Sequence, residues 1–131
     1  MKSRVFIIIA AVLMLLAGVL RGTGGVLLLL NGNNIDVDPP ITASSTVARI
    51  CGVDLIFLFI IFLTSAVLLF KNTKRGWVLS WFGLIYFIIG GLVNGYLLFN
   101  TPFVQDQIIN YSASAVIAAF LVLGRKSFPT V

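Results

Sequence analysis

The stretch AGVLRGTGGVLLLLNGN, residues 17–33, sets one arginine, Arg21, and a glycine-rich tract inside a long apolar run. Residues 5–20 before Arg21 are all apolar or glycine, and residues 26–30 after it are all aliphatic. A guanidinium in hydrocarbon is costly and needs either a partner or a route to water. Whether hydrocarbon is the solvent at all is decided by the rest of the chain.

Of 131 residues, 60% are hydrophobic and 10% charged, and the mean hydropathy is +1.11. Soluble domains carry about 25% charged residues. A soluble fold of this size keeps much of its surface in water and has nowhere to hide so much apolar area. The apolar residues also fall in long runs, which points to lipid as the solvent. A single domain over residues 1–131 is the natural count. Cys51 is the only cysteine, so no disulfide forms within the chain. Histidine and glutamate are both absent, which removes the commonest metal ligand and the commonest general base.

Four runs stand out, at about residues 5–30, 47–70, 77–99 and 104–123. A spanning helix needs about 20 residues, so each run is long enough. They show no strand alternation, and in lipid the backbone must satisfy its own hydrogen bonds, so helices are expected. The first run exceeds the need, and it must tilt, break at the glycines around residue 24, or project beyond the bilayer. The opening MKSR followed by an apolar run resembles a signal peptide, but no clean small-x-small cleavage site follows, so an uncleaved first helix is expected.

The connections are polar: NGNNIDVDPPITASST at 31–46, KNTKRG at 71–76 and NTPFVQDQ at 100–107. With the N-terminus inside, the cytoplasmic side collects Lys2, Arg4, Lys71, Lys74, Arg75, Arg125 and Lys126. The outer side holds Asp36, Asp38 and Asp106, with Arg49 at its edge. That asymmetry obeys the positive-inside rule, and it explains most of the net charge of +5. Nucleic-acid binding would want the basic residues on one soluble face. Trp77 and Trp81 near the inner end, with Tyr96 and Tyr111 towards the outer ends, read as interfacial anchors.

The second run carries its own charge, Asp54. Arg21 lies nine residues from the outer end of the first run and Asp54 seven residues into the second. On antiparallel helices they sit at similar depth. A guanidinium–carboxylate pair there would offset the desolvation of both. Asn94 and Asn110 fall at a comparable level. Arg21, Asp54, Asn94 and Asn110 are therefore the candidate residues of an intramembrane polar pocket. The plainer alternative has Arg21 snorkelling to the outer headgroups and the other three serving as interhelical hydrogen bonds. Ser80, Gly83, Phe87, Gly91 and Asn94 share one helical stripe, and Met14, Gly18, Arg21 and Gly25 share another. Gly18 with Gly22, and Gly91 with Gly95, match the small-xxx-small spacing that lets helices approach closely, here favouring packing inside the chain over dimerisation.

No phosphate-binding glycine loop, Cys/His cluster or nucleophile with a matching base is present. The chain also lacks the first-helix glutamate of small multidrug exporters. The expectation is an all-α integral membrane four-helix bundle with N- and C-termini cytoplasmic, in a membrane of the bacterial inner (plasma) type. Its expected role is non-enzymatic: a multi-pass binding or accessory subunit with no cofactor and no metal. The expected partners are the lipid bilayer and either another membrane protein or a second copy of the chain, with no nucleic acid. The alternative is a small transporter or channel whose polar site lies in the outer half of the bundle around Arg21 and Asp54.

Overall fold

The computed structural model describes residues 2–32, 34, 41–99 and 105–125. Asp36, Asp38 and Lys126, and the turn at 100–104, lie outside the described residues, as do the side chains of Lys2 and Asp106. The fold is all-α, with four helices: α1 (Lys2–Asn31), α2 (Ser45–Phe70), α3 (Lys74–Phe99) and α4 (Gln105–Leu123). Three of them are long and apolar enough to cross a membrane, over Arg4–Asn31, Ser45–Phe70 and Lys74–Phe99. A shorter apolar stretch, Ile108–Leu123, lies within α4 among the described residues.

Helix α1 runs unbroken through Gly22-Thr23-Gly24-Gly25. Each glycine inside a helix costs up to about 1 kcal/mol against alanine. Breaking the helix in an apolar medium would cost more, because freed N–H and C=O groups would find no water. At 30 residues α1 is about 45 Å long, against a hydrocarbon core of about 30 Å. The break at the glycines does not occur.

Local chemistry sets the ends. Ser44 caps α2, its Oγ accepting from the Val47 N–H at 3.3 Å. At the other end of α2, Thr73 N–H donates to Leu68 O and Asn72 N–H to Leu69 O. This is a Schellman closure with Asn72 in the left-handed region at φ 58°, a conformation asparagine tolerates better than most residues. Thr73 then starts α3, its Oγ1 accepting from Gly76 N–H at 3.2 Å. Arg4, read from sequence only as a topology signal, completes the end of α2. Its guanidinium donates to Leu69 O at 2.8 Å, to Asn72 Oδ1 at 3.2 Å and to Phe70 O. A cation over the last carbonyls satisfies orphan acceptors and suits the negative end of the helix dipole.

Helix α1 packs on α2 and α4, and α3 packs on the same two, so α1 and α3 face each other across a diagonal. Consecutive helices are antiparallel neighbours, which gathers Arg4, the 71–75 turn and Arg125 at one end of the bundle and Arg49 at the other. The Trp77 Nε1–H bond to Leu121 O, 3.0 Å, ties the end of α4 to the start of α3. Trp77 and Trp81 are half-buried against the core, so their rings serve packing within the bundle more than anchoring at its rim.

The outside is apolar on every helix. Leu20, Leu30, Ile50, Phe57, Phe82, Ile109 and Val122 are all more than half exposed. The exposed hydroxyls of Thr23, Thr64 and Ser112 each bond the carbonyl four residues back, at 2.8–3.0 Å, and so need no water. Helices that are apolar all round, with self-satisfied hydroxyls, suit hydrocarbon as the surrounding medium.

Candidate functional site

The core divides into two. Towards the end that holds Arg4, Ile7, Ala10, Ala11 and Met14 of α1 meet Leu58, Phe62 and Leu69 of α2, Leu84 and Phe87 of α3, and Ile117 and Leu121 of α4. At the opposite end a smaller cluster joins Leu28, Ala48, Cys51 and Leu98. Between them lies a polar layer. Arg21, Asp54, Tyr86, Asn94 and Asn110 all line one small cavity, together with Gly90 and Gly91. All four helices contribute, one or two polar residues each.

Asp54 is the best-defined member. Its Oδ2 accepts from Asn94 Nδ2 at 2.9 Å, and its Oδ1 accepts from the Tyr86 hydroxyl. A Cβ placed on Gly90 would lie 3.4 Å from Asp54 Oδ2, in ordinary van der Waals contact with the carboxylate. Asn94 and Asn110 are buried, and Arg21 and Asp54 are half-buried. The buried hydroxyls of Ser65, Ser80 and Ser114 stay out of the layer, each bonding the carbonyl four residues back on its own helix. The space enclosed is about 10 Å³, close to what a single water needs.

The four candidate residues Arg21, Asp54, Asn94 and Asn110 therefore converge on one cavity. Tyr86 belongs with them and was missed from sequence. Its signal was position: belt tyrosines sit near helix ends, whereas Tyr86 sits in the middle of α3, on the same face as Gly90 and Asn94 at helical spacing.

The small residues bring α1 and α2 together. A Cβ on Gly18 would lie 3.1 Å from Phe62 Cβ, and one on Gly22 2.9 Å from Phe59 Cγ. One turn further out, Gly25 meets Gly52 backbone to backbone, with a Cβ on either placed 2.6–2.7 Å from the other's carbonyl oxygen. Gly91 and Gly95 are buried on the inner face of α3. In this seam Gly22 lies opposite Phe59 and Gly25 opposite Gly52 and Leu55, so the backbones of Arg21 and Asp54 stand about one turn apart, and the two residues meet only in lining the same cavity.

Two shallow grooves flank the layer. One, of about 430 Å³, runs between α1 and α4 from Leu13 and Ile117 to Arg21 and Asn110, with Ala17 and Ala113 at its floor. The other, of about 340 Å³, lies along α3 from Phe82 to Asn94 and reaches Asp54. Chemically the layer can orient hydrogen bonds and hold charge at mid-depth. Among the described residues no group of histidine, cysteine, aspartate and glutamate side chains could hold a metal. Comparison with protein-family models, with curated proteins and with solved structures gave no match.

Proposed function

We propose that this chain is a small multi-pass integral membrane protein, non-enzymatic, that acts as a binding or accessory subunit by holding a partner helix in the plane of the bilayer. Its termini are cytoplasmic, and its home is a bacterial inner membrane. Three apolar helices with lipid-suited exteriors support insertion. The α1/α4 groove carries the functional reading. It is open, apolar along its length and floored by Ala17 and Ala113, which let another helix approach closely. At one end it is bounded by Arg21 and Asn110 of the polar layer. A transporter or channel at the Arg21/Asp54 level draws on the polar layer itself. Room for about one water is too little for a larger solute in this conformation.

Sidedness is checked by cysteine labelling in a Cys51→Ala background. A cysteine at Lys74, an exposed site, is expected to resist an impermeant reagent in intact cells, while one at Asn34 reacts. The reverse pattern would mean the opposite orientation. Lys74 is preferable to Asn72, whose positive φ would strain a cysteine. The partner reading is checked by filling the groove. Ala113→Leu is expected to abolish co-purification of the partner in mild detergent and leave the melting temperature within a few degrees of wild type. Ile85→Leu, on an exposed face of α3, should change neither. An unchanged set of co-purifying proteins in Ala113→Leu refutes the groove as the docking face.

A further inference from the structure

We infer that the open groove beside the start of α3 is a binding site for an anionic glycerophospholipid. This rests on the reading above that the helices span a bilayer. The groove, of about 940 Å³, is lined by Leu68 of α2 and by Lys74, Arg75, Val78, Leu79 and Phe82 of α3. It has two chemical ends. Val78 and Phe82 are more than half exposed, and with Leu68 and Leu79 they make the apolar part of the groove, which runs about 6 Å along α3 over residues 78–82 at helical rise, about 12 Å counted from the cations at its mouth. Lys74 and Arg75 stand at its mouth, with Lys71 exposed on the turn beside them.

Among the described residues these cations meet no acid. Among the residues whose side chains are described, Asp54 is the only acid, and it lies in the polar layer far along the bundle. Lys71, Lys74 and Arg75 have no side-chain hydrogen bond or ion-pair partner among the described residues. Arg4, the other cation near this turn, is engaged by the carbonyls of Leu69 and Phe70 and by Asn72. The mouth also coincides with the first turn of α3, where the positive end of the helix dipole adds to the field.

Charge complementarity at one end and a trough parallel to the helix axis at the other select an amphiphile with a phosphate head and an acyl tail. An acidic protein segment would answer the lysine and arginine but leave the trough unfilled. The level of the mouth, at the helix ends, is where lipid phosphates reside in a bilayer.

The test uses purified full-length chain in detergent, with phosphatidylglycerol and phosphatidylcholine of identical acyl chains as probes and native mass spectrometry as the readout. One phosphatidylglycerol per chain is expected to be retained, with about tenfold preference over phosphatidylcholine, on the order of what two cations near an anionic surface supply. The Lys74→Gln/Arg75→Gln double variant should bring that preference close to one. The charge-matched Arg49→Gln/Arg125→Gln double variant should keep it. Glycerol phosphate, which has the head without the tails, should not displace the lipid. Equal retention of both lipids, equal losses in the two double variants, or displacement by glycerol phosphate would each overturn the proposal. Melting temperatures in lipid-free detergent should match wild type for both double variants, since the altered side chains are exposed. Retention in micelles does not depend on sidedness, so a failure here is separable from a failure of the labelling experiment.

Discussion

Asp54→Leu is expected to lower the unfolding free energy in detergent by about 3 kcal/mol, and Arg21→Leu by a similar amount. Breaking one side of a buried charge arrangement costs roughly 3–5 kcal/mol, less where a half-exposed side chain can find water. Both residues face the same small cavity, so losing either leaves the other charge in a poorly solvated place. Asp54→Leu also orphans two donors, the Tyr86 hydroxyl and the Asn94 amide. Each unsatisfied buried group costs about 1–3 kcal/mol. The Arg21→Leu/Asp54→Leu double variant should therefore recover only part of the summed loss. Adding Tyr86→Phe removes one orphan and should recover more. Thermal or denaturant unfolding of the four proteins gives the coupling, which should stand well above the roughly 0.3–0.5 kcal/mol error of additivity. Simple additivity of the two single variants would show that Arg21 and Asp54 do not sense each other, and the polar layer would then be a set of separate hydrogen bonds.

Much of this architecture is legible in the sequence, for a physical reason. Hydrocarbon forbids loose backbone, so apolar length translates almost directly into helix, and the four runs meet the four helices to within a few residues at each end. The depth of Arg21, Asp54, Asn94 and Asn110 follows from counting along antiparallel helices, because rise per residue is constant. What escaped is what counting does not encode. Arg4 scored as a topology charge, yet its guanidinium reaches across to carbonyls more than sixty positions along the chain. Tyr86 shares a helical face with Gly90 and Asn94, a spacing that counting does give, but which face turns towards Asp54 and lets Tyr86 donate its hydrogen bond depends on the rotation of α3 about its own axis. Gly52 has no glycine four residues away, only Ala48, and a search for glycine pairs passes over it. Its role comes from the particular point on α1 that it touches.

Gly52→Val should be the most damaging single change in the α1–α2 seam. A Cβ on Gly52 would lie 2.6 Å from Gly25 O, 2.8 Å from Leu29 N and 3.0 Å from Leu28 Cβ. The first two are backbone atoms of a continuous helix, so no rotamer change relieves the clash, and α1 must move away from α2. Overpacking of this kind typically costs about 1–3 kcal/mol, and Gly52→Ala should fall in that range, with Gly52→Val at its top or beyond. The displacement falls at the level of Asp54 and about a turn from Arg21, so the polar layer should loosen as well, and adding Gly52→Val should reduce the coupling measured between those two residues. Gly24→Ala is the internal contrast. Its Cβ would meet nothing within 4 Å. Removing one helical glycine should then stabilise α1 by about 0.5–1 kcal/mol. A glycine inside the seam and one on the open side of α1 beside it are thus expected to respond with opposite sign to the addition of a single methyl group. Should Gly52→Ala and Gly24→Ala unfold alike, α1 and α2 do not touch backbone to backbone at this seam.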